Sequence, residues 1–234
     1  MKYIIDDKNK TIIFTQSDKK DWVLFKNTNL TGWDIRFEGV SLTVDDRNQI
    51  LTQRFNSNGM TGCLNIYNST FDDTKIHVKG GQCEDSLNII SSIGKIDQII
   101  VSESYSDAID FDFSNIFIRD TLVNDAGNDC LDLSGGRYTL IQATLRSCND
   151  KGISVGEKSI LNVENVDLVK SNIGISVKDL SSLDANKVII IESPICIEAI
   201  QKKQEFGGGY AKVVNINCSN LDNKDKVSTI FRGE

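Results

Sequence analysis

Asn128-Asp129-Cys130-Leu131-Asp132-Leu133-Ser134-Gly135 places apolar residues on either side of a polar one, the alternation of a strand with one buried face. The same three positions recur at intervals of 22 in both directions. Leu131 belongs to the series Leu87, Ile109, Leu131, Ile153, Ile175, Ile197, and Leu133 to Ile89, Phe111, Leu133, Val155, Val177, Ala199. Between them run Asn88, Asp110, Asp132, Ser154, Ser176 and Glu198. Self-similarity at a fixed interval of roughly 20–50 residues marks a repeat architecture, in which each position stacks on its equivalent in the next coil.

A second strand segment recurs as Ile118–Leu122, Ile141–Leu145, Val163–Asp167 and Ala185–Ile189. Coils of about 22 residues bent into short strands predict an all-β chain, a right-handed parallel β-helix. At about 4.8 Å per coil, roughly ten coils make a rod on the order of 45 Å long. Residues 1–60 are less regular and predict an N-terminal cap with the first coils. Within them Tyr3-Ile4-Ile5 and Thr11–Phe14 suggest a starting hairpin, while Asp34–Phe37 and Leu42-Thr43-Val44 suggest early coil strands. Residues 61–219 form the regular coils and 220–234 a tail or second cap, all in one domain.

The net charge of −7 argues against nonspecific binding to nucleic acid or anionic membrane. No apolar run reaches the roughly 20 residues of a bilayer span, so no membrane insertion is expected. The N-terminus carries no signal-peptide core, which gives a cytoplasmic expectation, with export by another route left open. The six cysteines form no C-x-x-C pair, so zinc is not expected. Cys130 and Cys196 share a register with Ser86, Ala108, Gly152 and Gly174 and read as small packing groups.

Asp110 and Asp132 stack on adjacent coils and point outward, with Asp112 beside them. Asp107, Asp129 and Lys151 form a second column just before the strand. Two ionised carboxylates about 5 Å apart repel by roughly 3 kcal/mol at an effective dielectric near 20. A cation, a shared proton or lysines from later coils must compensate. Further along lie Asp150, Glu157, Lys158, Lys178, Asp179, Lys202 and Lys203, with Asp150–Lys178 a candidate pair that fixes coil register. His77 reads as a surface strand residue. Trp22 and Trp33 fall in the cap, off the acidic face, leaving Tyr105 and Tyr210 as the aromatics near the cluster.

The coil repeat resembles the pectate-lyase-like β-helix superfamily of polysaccharide-active proteins. The runs Cys83-Glu84-Asp85-Ser86-Leu87-Asn88, Ser106-Asp107-Ala108-Ile109-Asp110-Phe111-Asp112-Phe113-Ser114, Asn128–Gly135, Asp150–Ser159, Ser176–Ser181 and Gln201–Gly207 resemble one subgroup. Its members are bacterial β-helix domains found beside spore-coat-H-type kinase domains, or alone. The likeness covers about residues 60–215 and implies the fold more strongly than any chemistry. Polygalacturonase-type hydrolases offer a second comparison. Asp107 stands where their first aspartate would, Asn128-Asp129 matches their Asp-Asp with one replacement, and Asp150-Lys151-Gly152 has lysine in place of their histidine.

The expected function is a carbohydrate-active protein on a polysaccharide, acidic and of a bacterial surface, laid across the strand face. A hydrolase would use Asp110 with Asp132, or Asp107 with Asp129, as its two carboxyl groups. A lyase or epimerase would take Lys151 or Lys178 as base, with Ca2+ held at Asp107, Asp110, Asp129 and Asp132. Asp112, Glu157, Lys158, Lys202 and Lys203 would contact substrate. The alternative is a non-catalytic glycan-binding or assembly module of a surface-polysaccharide system. Oligomeric state is open.

Overall fold

The computed structural model describes residues 1–43, 45 and 54–233. The inward columns organise everything else. Leu64, Leu87, Ile109, Leu131, Ile153, Ile175 and Ile197 are fully buried, as are Ile66, Ile89, Phe111, Leu133, Val155, Val177 and Ala199. These side chains can bury only by stacking on their equivalents one coil away, so the chain winds into a parallel β-solenoid of about 10 turns. Among the described residues every element is a strand, β1 to β19.

One face of the rod pairs, in order, β3 (Val23–Lys26), β5 (Gly62–Tyr67), β7 (Asp85–Ile90), β9 (Asp107–Asp112) and β11 (Leu131–Ser134). It continues through the last residues of β12 (Arg137–Gly156) and β13 (Ile160–Lys178) into β15 (Ile195–Ile200) and β18 (Leu221–Lys224). The other face runs from β2 (Thr11–Thr15) through β4 (Asp34–Glu38), β6 (Thr70–Lys79), β8 (Ile93–Ser104) and β10 (Asn115–Ala126). It then passes through β12 and β13 to β14 (Ser182–Ile191), β16 (Tyr210–Val213) and β19 (Thr229–Arg232), with β17 (Ile216–Asn217) also on β14. Its ladder skips Asp97, Arg119, Ile141, Glu164 and Asn186, and these positions mark a bend within each long strand.

The expected hairpin is present, β1 (Lys2–Asp6) lying antiparallel to β2. Asp34–Phe37 falls in β4. Leu42 and Thr43 are not in a strand, and Val44 lies outside the described residues. Residues 221–232 add two strands to the stack, so the C-terminal stretch is a last partial coil that covers its neighbour.

Two readings of register need correcting. The second strand segment aligns Ile118 with Leu140, Val163 and Ala185, so Ile141 is one residue late. The extra residue enters at the Glu157-Lys158 turn, where both residues have positive φ, and is absorbed between Cys148 and Lys151. The cysteines are also not small packing groups. Cys63–Cys83, Cys130–Cys148 and Cys196–Cys218 are disulfides. Each joins two different registers across a corner, a neighbour relation that a comparison at one fixed period cannot display. The Ser86 hydroxyl donates to Ser104 at 2.8 Å in the slot that Cys130–Cys148 fills two coils later.

A buried serine column braces the next corner. The Ser69 and Ser92 amides donate to the Ser92 and Ser114 hydroxyls at 3.0 Å, and the Ser159 amide to Ser181 at 3.1 Å. Gly136 interrupts this column. There the Tyr138 hydroxyl substitutes, accepting from the Ser114 amide at 3.4 Å and reaching the Phe111 and Ser134 carbonyls at 3.1 Å. Its ring stacks on Phe111 with centroids 5.7 Å apart. Buried beneath β9 and β11, Tyr138 fixes the strands that carry the carboxylates.

Candidate functional site: a carboxylate face

The structure brings Asp107, Asp110, Asp129 and Asp132 together on adjacent coils. Asp110 and Asp132 are ladder partners on β9 and β11, and Asp112 pairs with Ser134 on the same strands. Because Ile109, Phe111, Leu131 and Leu133 are drawn inward, Asp110, Asp112 and Asp132 turn outward, where they are half-buried. The preceding column is deeper. Asp107 and Asp129 are buried, and so is Asp85, the ladder partner of Asp107 one coil earlier. Asp85 is not among the site residues expected from the sequence, although it stands 22 residues before Asp107 in the same column.

Two kinds of bond hold the deeper column. The Asp107 Oδ1 accepts from the Asp129 amide at 2.8 Å and from Asn128 Nδ2 at 2.7 Å. The Asp129 Oδ1 accepts from the Lys151 amide at 2.9 Å and from its ammonium at 3.4 Å. Each carboxylate thus takes a backbone donor of the next coil. On the outer column Asn88 Nδ2 donates to Asp110 at 3.0 Å and to Asp112 at 3.4 Å. Asp85 Oδ2 and Asn88 Oδ1 are buried without a partner.

Burial and mutual repulsion favour protonated carboxyls here. Burial, then the Asp129 charge, raises Asp107 to about 7. Burial raises Asp129 to about 6 against the opposing pull of Lys151. Asp110 is pushed well up by burial and by Asp85, Asp112 and Asp132, and Asp112 is raised chiefly by burial. Asp85 is raised by burial and by Asp107 and Glu84, although the Thr61 side chain donates to it. Protonation of the raised carboxyls would relieve this repulsion.

Lysines do enter farther along the rod. Burial disfavours the Lys151 ammonium, but Asp129 and its ion pair with Asp150 outweigh that and raise its pKa. Lys178 is buried and donates to Ser154 at 2.7 Å. The expected Asp150–Lys178 pair therefore does not form, because each group has a nearer partner. Burial would raise Glu157, but Lys203 and the Ser134 hydroxyl outweigh it and lower its pKa. Asp179 Oδ1 accepts the Lys202 and Lys203 amides at 2.8 Å, and Lys158 lies over Phe206 at 5.6 Å. Glu157, Lys158, Lys202 and Lys203 are thus gathered at one turn, beyond the carboxylates. His77 is half-buried in β6, 3.9 Å from Asp34.

Among the described residues no group of three or more His, Cys, Asp or Glu is arranged to hold a metal ion, and the Asp107 and Asp129 Oδ1 atoms already take amide donors. No helix among the described residues is long and apolar enough to cross a membrane. The chain matches no protein-family model, and a search of curated proteins returns no match.

Proposed function

We propose that the protein acts as a glycoside hydrolase on a polysaccharide laid across the β7–β9–β11 face, with Asp110 and Asp132 as its two carboxyl groups. The observation that carries this reading is their in-register placement on adjacent strands, outward and half-buried among further carboxyls. Strands lie about 4.8 Å apart, nearer the roughly 5–5.5 Å carboxyl separation of retaining enzymes than the wider gap of inverting ones. Asp110, whose pKa is raised by burial and by its neighbours, serves as the acid that protonates the leaving oxygen. Asp132 serves as nucleophile. The lyase reading is weaker, because the pairing of Lys151 with Asp129 and Asp150 keeps it an ammonium and a poor base.

The likeness to pectate-lyase-like β-helix proteins, and within them to the bacterial domains described above, belongs to this proposal and supports a bacterial surface polysaccharide as substrate. Three disulfides in one chain support an oxidising compartment over the cytoplasm. Turnover of a panel of acidic and neutral polysaccharides by wild type, Asp110→Asn and Asp132→Asn tests the reading. Loss of at least about a hundredfold in each variant is expected. Equal turnover in all three would sink it.

One observation favours a non-catalytic module instead. Asp107 and Asp129 accept backbone amides of the next coil, as register-fixing groups would. We therefore assign that pair to holding the coils and leave the chemistry to Asp110 and Asp132.

A further inference from the structure

Between the N-terminal turn and the first coils lies a cleft of about 780 Å³, within the roughly 300–1,000 Å³ range of small-molecule sites. Asp18–Trp22 form one wall, Arg54–Ser57 with Met60–Gly62 another, and Gln82–Glu84 the far side. Trp22, Phe55 and Met60 supply apolar surface, while Lys20, Arg54, Asn56 and Glu84 supply polar groups. Arg54 pairs with Glu84 at 2.6 Å.

Two features tie this cleft to a ligand. Asn56 Oδ1 accepts the Asn58 and Met60 amides at 2.9 and 3.1 Å, which fixes its side chain, yet its Nδ2 is buried with no partner. Asn56 lines the cleft, and a shielded donor without a partner is a polar group whose missing bond an incoming acceptor would complete. The cleft is also continuous with the carboxylates. Val23 pairs with Leu64 and Gly62 with Asp85, so Gly62, which lines the cleft, stands at the head of the column that descends through Asp85 and Asp107. The Asp85 amide donates to Thr61 O at 3.3 Å.

We infer that this cleft is a saccharide-binding subsite, which anchors one end of a glycan whose chain runs on over the carboxylate face. An aromatic wall suits the apolar face of a pyranose ring, and an amide and charged rim suits its hydroxyls. The inference rests on the proposed polysaccharide substrate and gives the face a direction, with the anchor at the β3 end and chemistry two to three coils away.

Trp22 and Trp33 are the only tryptophans, so Trp22 in a Trp33→Phe background reports the cleft by fluorescence. The probes are a neutral gluco-oligosaccharide, an N-acetylated amino-sugar oligosaccharide and an oligouronate. A saturable change with at least one is expected, weakened roughly tenfold by Phe55→Ala and kept by Asp110→Asn/Asp132→Asn. Phe55 is 53% exposed, so its removal leaves the fold intact. No saturable change with any probe, or equal affinity in Phe55→Ala, overturns the inference. Binding lost only in the carboxylate variant overturns the cleft and leaves the face reading standing. Binding at the cleft with turnover indifferent to Asp110 and Asp132 does the reverse.

Discussion

The coils from Asp85 to Asp132 and those from Lys151 to Glu198 share one backbone register and one pair of buried columns, yet their outward chemistry differs. In the first stretch buried or half-buried carboxyls face one another across the ladder, tempered by Asn88 and Asn128. In the second, the same positions hold Ser154 under Lys178, and Ser176 donating to Glu198 at 2.8 Å, with Asn223 donating to Glu198 at 2.9 Å. The solenoid is therefore built by its inward residues and tolerates either solution outside. Among the described residues only the first stretch sets carboxyls with raised pKa values along this face.

The sharpest way to break this comparison is chemical. Asp110→Asn should lower polysaccharide turnover by about a hundredfold or more, while Ser176→Ala, at the equivalent place three coils on, should leave it unchanged in the same assay. A response of similar size at both positions would erase the distinction.

Stability against pH comes next. Asp107 has a folded pKa of about 7 against 3.8, so the folded state holds the proton more tightly than the unfolded chain. Its influence favours folding most below about pH 4 and is lost as pH rises toward 7. That shift corresponds to about 4 kcal/mol at most for this group. Denaturant midpoints of wild type should fall between pH 4.5 and 7.5, and Asp107→Asn should flatten the fall. A parallel profile in the variant would show that the carboxyls do not share the load.

Gly136 probes what supports the first stretch. A Cβ there would stand 2.2 Å from the Ser114 carbonyl and 2.4 Å from the Tyr138 hydroxyl. Gly136→Ala should cost about 1–3 kcal/mol, as overpacking does, and loosen β9 and β11 before the later coils in hydrogen exchange. The smallest effect is expected at Lys203→Ala. Its pair with Glu157 is partly exposed, so thermal melting should move by no more than about 1 kcal/mol equivalent.

Much of the fold was legible because two buried columns repeat at a constant interval from Leu87 onward. Leu64 and Ile66 belong to the same columns but sit 23 residues before Leu87 and Ile89, and that one-residue change hid the earlier coil. The outward aspartates followed from alternation alone. Two things did not. The disulfides join unlike registers, and the step from Val23 to its partner Leu64 is a coil of 41 residues with no internal period to follow.

Three disulfides also fix how this rod would respond to pulling at its ends. Force passes through each bridge and bypasses the loop it closes, so 20, 18 and 22 residues of contour stay locked. Between bridges lie two nearly equal reserves, 47 residues from Cys83 to Cys130 and 48 from Cys148 to Cys196. Each could lengthen by at most about 160 Å at roughly 3.4 Å per residue. Stretched in oxidising surroundings, the segment from Cys63 to Cys218 would act as a tether with two matched steps of give and then a hard stop.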